Sequence, residues 1–363
     1  MPGTACTRFD LTSCATTSPT FRTSDAVRSK LEEACEARPS IAQFETIGTS
    51  EEGRPIAGVV LGKGPQTVSI VAGNHADEPV GPETLRSLVV SVLENPDAFE
   101  GLLEQFTFRI VPHTNPDGEA RNRPWIEAWP DMQAYLRHVE RDLPGRDLEF
   151  GFPSMRPENE AVASFLELHA PFALHASLHG MSVSEGALLL INRPWAYRSE
   201  KLQKEYRKAA IDAGLRMHDH NRKGEKGFFW IAPGYQTTPR GEAMRSYFRS
   251  IGDPDMADRF HDSSMEMVMG WGGDPLCLVT ELPLWVLVDG PAEEPPPTNP
   301  HRPMRYEAFR EQFADLRHQD LTQSDASPSD LLGDFELEPL DPAVAMRLQL
   351  TVLSLALETV AED

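Results

Sequence analysis

Cysteine is scarce: Cys6, Cys14, Cys35 and Cys277 are the only four in 363 residues, and no two form a C-x-x-C pair. That spacing excludes a cysteine-built zinc module and a thioredoxin-type redox pair, and it does not make a disulfide framework. The thiols are expected to be free, with Cys6–Cys14 the one disulfide considered and Cys277 an inert core residue. An unbroken run of about 18 apolar residues is also missing, so no membrane span is expected. Met1 to Arg22 is polar and rich in Thr and Ser, without a basic stretch leading into an apolar one. No signal peptide is read there, and the expected location is the cytoplasm. Positive charge is in short supply, 34 basic against 56 acidic side chains, a net charge of −22. Such a field repels nucleic acid and anionic lipid, so neither is expected as a partner. It does not decide the sign inside a site, where a metal ion inverts it locally.

What is present is ordinary for a globular chain: 40% apolar and 25% charged residues. The length allows one large core, or one core plus a small extra segment. Strands are expected at Phe44 to Thr49, Ile56 to Leu61, Thr67 to Ala72, Phe106 to Val111, Phe172 to Leu178, Ala187 to Ile191 and Leu276 to Thr280. Helices are expected at Ala26 to Ala37, Pro82 to Leu93, Pro157 to His169 and Ala196 to Gly214. The alternation predicts an α/β fold: a mixed, mostly parallel twisted sheet flanked by helices. Residues 1–290 are expected to form the catalytic domain, with 1–22 a polar arm that frays or pairs as an early strand. Residues 291–303 read as a proline-rich linker. Residues 304–363 read as a helical C-terminal extension packing on the core, with helices near Tyr306 to Arg317 and Pro342 to Val360.

Functional residues gather at the carboxyl ends of strands in such sheets. His75, Asn115, His179 and Glu281 each follow a predicted strand. His75-Ala76-Asp77-Glu78 has the spacing H-x-x-E, which aims an imidazole and a carboxylate at one ion from a strand-to-helix turn. Asp77 competes as ligand, but Glu78 has the better spacing. The third ligand is expected to be His179 at a strand end, with His175, inside the strand, a core or supporting imidazole. Two His and one Glu make a catalytic rather than a structural zinc set. Glu281 emerges from an apolar strand, where burial raises its pKa and suits it to general-base work. Asn115-Pro116-Asp117-Gly118 reads as a turn, and the Arg121 and Arg123 that follow are candidates to hold an oxyanion.

These motifs together resemble the zinc carboxypeptidase (funnelin) superfamily, from about Ile47 to Leu284. NHADEPVG is similar to its first zinc motif, NPDG with Arg123 or Arg121 to its oxyanion segment, SLHG to its second zinc motif and TELP to its catalytic glutamate. The resemblance implies one zinc per chain held by His75, Glu78 and His179, with Glu281 as base and Arg123 on the oxyanion. The implied substrate is a peptide or small amide, and no oligomeric state is implied. Two departures stand out. Glu149-Phe150 occupies the place of the Asn-Arg pair that binds a terminal carboxylate in the family, and Glu149 is expected to favour an amine or guanidinium there. The stretch from Met256 to Gly273 has no tyrosine where the family carries one on a mobile loop. His261 is the expected substitute donor, with Tyr235 and Tyr247 further upstream, and Asp219 to Thr237 reads as a surface hairpin, with a specificity loop over the site as the alternative. Zinc amide hydrolase is therefore the expected activity, and a non-catalytic peptide- or metal-binding protein the alternative.

Overall fold

A computed structural model describes residues 9–15, 20–288, 306, 309–312, 327, 331–333 and 335–362. Its strands are β1 (Ala42–Thr49), β2 (Pro55–Gly62), β3 (Gln66–Ala72), β4 (Phe106–Val111), β5 (Leu174–Ser184), β6 (Gly186–Ile191), β7 (Arg216–Met217), β8 (Trp230–Ala232), β9 (Tyr235–Thr237), β10 (Leu276–Val288) and β11 (Glu336–Pro339). They form one sheet in the order β1-β2-β4-β3-β5-β10-β6-β9-β8, with β11 on β10 and β7 on β6. The centre, β4-β3-β5-β10, is parallel, while β1 is antiparallel to β2, β2 to β4, β6 to β10 and β8 to β9, and β6 is parallel to β9 and β7. This is the expected α/β architecture with a mixed sheet. The proline-rich 291–303 lies outside the described residues, as does most of the expected helix over 306–317.

Side chains alternate across a strand, and that alternation sorts the sheet into two faces. Val68, Ile70, Ala72, Leu174, Ala176, Leu178, Leu276, Leu278 and Leu282 join one large apolar core. Against that core pack the helices Ser24–Glu36, Val80–Glu94, Glu200–Asp212 and Pro342–Glu362. The opposite face carries Ser69, His175, Ser177, His179, Cys277 and Glu281, so the polar chemistry shares one side of the strands whose other side is core.

The last helix does more than cover the core. It is long and apolar enough to cross a membrane by length and composition, yet it is mostly buried within the fold. Its buried Gln349 donates to the His179 carbonyl (3.2 Å) and to Thr280 Oγ1 (3.1 Å), and accepts from Thr84 Oγ1 (2.6 Å). It thereby pins β5 and β10 directly behind the candidate site. Residues 9–15 are neither a frayed arm nor a strand. They form a short 3-10 turn at Thr12–Cys14, with Phe9, Leu11 and Cys14 buried and the Leu11 amide donating to Ser354 Oγ on that helix. Cys14, Cys35 and Cys277 are free and buried, and burial pushes the Cys14 thiol up to about 12 and Cys35 to about 11.

Two strands run further than periodicity suggested. β5 continues to Ser184 and β10 to Val288, so His179 and Glu281 lie inside strands rather than just past them. β3 stops at Ala72, which pairs with Leu178, so His179 is the first position beyond the end of its neighbour. The gathering at carboxyl ends holds relative to β3 and β4, because that is where the sheet stops covering this face.

Candidate metal centre and active site

The turn after β3 brings the first two ligands in. Gly73 adopts φ +79°, and a Cβ there would lie 2.5 Å from the His113 ring, so this turn needs glycine. Six residues after Asn74 the chain enters the helix Val80–Glu94, with Glu78 just before its first turn. β5 supplies His179, and Glu281 pairs with it in register on the adjacent parallel β10.

The donor atoms converge. His75 Nδ1 lies 3.0 Å from Glu78 Oε1 and 3.1 Å from His179 Nδ1, and His179 Nδ1 lies 3.0 Å from Glu78 Oε2. Zinc bonds of about 2.0–2.1 Å in tetrahedral geometry put neighbouring ligand atoms roughly 3.3 Å apart, close to this spacing. Both imidazoles turn Nδ1 inward and Nε2 towards a carboxylate: His75 Nε2 to Asp147 (3.2 Å) and His179 Nε2 to Glu149 (3.1 Å). Such outer carboxylates fix ring orientation and raise the basicity of a metal-ligating histidine. The donor set therefore fits zinc.

Electrostatics follow from the crowding. Burial pushes the Glu78 carboxyl up, but His75, Arg141 and His179 outweigh it and hold it well below the usual range. Burial disfavours charge on His179, yet Glu78 and Glu149 raise it to about 10. Glu281 moves the other way: burial, then the charge of Glu78, lift it to about 7. That value suits a group that must take and return a proton near neutrality. His175 is buried between Ser69 Oγ (2.8 Å) and Ser264 Oγ (3.2 Å), and burial drives it down to about 4, a neutral supporting ring as expected.

Several expected contacts fall elsewhere. Arg123 points to solvent, 55% exposed, and pairs with Glu127 at 2.6 Å. Arg121 is spent on Glu52, Glu140 and Asp142. Both sit on the helix Pro116–Ile126. The guanidinium at the cluster is that of Arg141, with Nε on Asp77 (2.8 Å) and an NH2 on Glu78. Asp77 is thus a partner of Arg141 rather than a ligand. Arg141 lies in an irregular segment with no periodic signal. Its nearness in sequence to Asp147 and Glu149 was the one hint.

Asn115 caps its helix: its Oδ1 accepts from the Gly118 amide (3.0 Å) and its Nδ2 donates to Asp142 (2.7 Å). Glu149 does not face a substrate. It is 5% exposed and is taken up by Asn74, His179 and Ser264 Oγ (2.9 Å) behind the cluster. Phe150 packs edge to face on Phe260, ring centroids 5.5 Å apart, in an apolar patch with Leu188 and Val279. The His261 side chain is exposed and takes no part in the network around His179.

The chain is similar to known zinc carboxypeptidases. Residues 27–153 match the family model for zinc carboxypeptidases. The chain is 26% identical over 247 residues to Carboxypeptidase E of Caenorhabditis elegans, covering 58% of this chain and 48% of that protein. It is 38% identical over 125 residues to "Inactive metallocarboxypeptidase ECM14" of Ajellomyces capsulatus, 31% of this chain and 20% of that one. The chain thus spans about half or less of the length of these relatives. The solved structure of Carboxypeptidase A from Helicoverpa armigera aligns over 97% of this chain and 78% of its own, with TM-score 0.52 at 14% identity, a likeness of fold. It is over residues 27–153 that the chain is similar to the zinc carboxypeptidase family.

Proposed function

We propose that this protein is a zinc-dependent hydrolase of amide bonds in peptides or small N-acyl amino acids. The observation that carries the reading is the His75–Glu78–His179 cluster with Glu281 in register beside it. A zinc ion held by those three ligands supplies Lewis-acid activation of water and of a carbonyl. The chain's own groups supply the rest. Glu281, poised near neutrality, takes the proton of the attacking water and hands it to the leaving nitrogen. Arg141, held by Asp77 and Glu78, is the cation beside the cluster for a developing oxyanion. Asp147 and Glu149 hold the two imidazoles in one orientation.

The alternative, a non-catalytic peptide- or metal-binding protein, draws support from the similarity to an inactive metallocarboxypeptidase. One experiment decides between them: zinc-loaded protein assayed on a panel of peptides and N-acyl amino acids, beside Glu281→Gln. Turnover that falls about 1,000-fold or more in the variant, with stoichiometric zinc in both, supports the hydrolase. Full zinc without turnover in the wild type supports the binding protein.

A further inference from the structure

Near Glu281 stands a guanidinium that no side chain among the described residues neutralises. Arg222 lies between β7 and β8, in a turn closed by Glu225 N–H to Arg222 O (2.9 Å) and Gly224 N–H to Phe228 O (3.0 Å). Its guanidinium stacks on the Phe228 ring, 4.0 Å from the centroid. Phe228 packs with Leu188, Leu190 and Val279. Leu188 is the β6 residue paired with Glu281, and Val279 precedes Glu281 by two on the same face. Leu188 thus belongs both to the pairing with Glu281 and to the apolar cluster of Phe228, over which Arg222 lies. Glu281 and Tyr306 are among the groups whose charge acts on Arg222. The Tyr306 ring lies 4.6 Å from His218, which is taken by Glu185 at 2.9 Å.

The other arginines near the cluster all have carboxylates: Arg121, Arg141, Arg146 and Arg156 are each within ion-pair distance of at least one. Among the described residues Arg222 has none within 4.0 Å and makes no side-chain hydrogen bond. The chain carries 56 acidic side chains, so a partly buried guanidinium left without one is a costly exception. Burial does hold its pKa below the usual arginine value, the direction expected for a charge awaiting a partner. A guanidinium held over an aromatic ring can keep its edge N–H groups for a bidentate acceptor, and a carboxylate matches that fork.

We propose that Arg222 is a specificity-determining residue that binds a carboxylate of the substrate, so that the protein prefers amides bearing an acidic group. This rests on the hydrolase reading above and adds the substrate class. The carboxylate comes either from a chain terminus or from an acidic side chain, and four probes separate the two: benzoylglycyl-Glu, its α-amide, benzoylglycyl-Leu and benzoylglycyl-Leu-amide. With zinc-loaded protein of residues 1–363, at least one carboxylate-bearing probe is expected to exceed Leu-amide about 100-fold in kcat/KM, and Arg222→Gln to collapse that ratio towards one, chiefly through KM. Preference for the α-amide of Glu over Leu-amide assigns a side-chain carboxylate, and preference for Leu over Leu-amide assigns a terminus. A binding readout stands apart from turnover: glutarate titrated calorimetrically into zinc-loaded protein is expected to bind about 10-fold or more weakly to Arg222→Gln at equal zinc content. Turnover without charge preference, or an Arg222→Gln loss equal across all four probes, overturns the Arg222 proposal and leaves the hydrolase reading intact. Glutarate binding that depends on Arg222 without turnover of any probe overturns the hydrolase reading and keeps the anion site.

Discussion

The two walls of the candidate site are built by opposite rules. On the ligand side, His75, Glu78, Asp77, Asp147, Glu149, His179 and Arg141 each have a bonded partner within the protein, and Gln349 braces the strands behind them. On the loop side, Arg222 rests on Phe228 with its N–H groups uncommitted among the described residues. A saturated network holds its geometry before any substrate arrives, which is what metal binding and proton transfer require. An uncommitted guanidinium is completed only by a ligand. The contrast assigns chemistry to the ligand wall and recognition to the loop wall.

If that division is right, the largest losses come from the saturated wall and appear in kcat. Arg141→Ala is expected to lower kcat about 100-fold or more, the scale of losing one oxyanion donor. Unchanged kcat with a raised KM would move Arg141 to recognition and break the division. Next in size, Glu149→Gln is expected to weaken zinc binding about 10–100-fold in chelator competition, because His179 loses the carboxylate that orients it. Arg222→Gln in the same titration should leave zinc affinity where it was. Equal weakening by both variants would mean that the walls are not separable.

The saturated wall also predicts a pH response. His113 and His175 are both driven by burial to about 4, against about 6.5 for an unfolded histidine. Their folded-state pKa values are lowered, so the unfolded chain takes up protons first as the pH falls. The stability they contribute is present above about 6.5 and is lost progressively down to about 4, on the order of 3 kcal/mol per histidine at most. His75 and His179 have raised values and are protonated in both states below about 6.5, so they add no slope in this window, whereas Glu281, raised to about 7, takes up its proton first in the folded state and offsets about one of the two histidines. Thermal unfolding of the metal-free protein should therefore show a falling midpoint from pH 6.5 to 4.5. A midpoint that stays flat or rises as the pH falls would show that His113 and His175 are not both kept neutral.

What the sequence made legible follows the same division. Strand alternation and helix caps carried the sheet and most elements, because period-2 and period-3.6 patterns are local. His75, Glu78, His179 and Glu281 were readable because regular strands and one short turn deliver them. Arg141, the role of Glu149 and Arg222 were not readable, since irregular segments place them and no periodicity encodes where those fold back. The expectation that Glu149 faces a substrate amine failed for that reason: its carboxylate turns towards Asn74 and His179, a direction only tertiary structure sets. The reach of β5 and β10 past their apolar runs was hidden too, because Gly180, Ser182 and Pro283 break the pattern while the ladder continues.

The smallest expected effect separates closeness in sequence from closeness in space. Arg123 follows Asn-Pro-Asp-Gly closely and on spacing alone was the leading oxyanion residue. In the fold its helix has turned it outward, and its one carboxylate partner is Glu127, four residues on, both more than half exposed. An exposed i,i+4 pair is worth about 0.3–0.5 kcal/mol, and removing it leaves no buried group unpaired. Arg123→Ala is therefore expected to change kcat/KM less than about twofold and stability by about 0.5 kcal/mol or less. Set beside Arg141→Ala under identical assay conditions, it tests whether the ligand wall owes its function to the bonded network around His179. A loss in Arg123→Ala comparable to that in Arg141→Ala would mean that the helix Pro116–Ile126 turns towards the substrate in solution, and that the oxyanion role must be shared between two arginines.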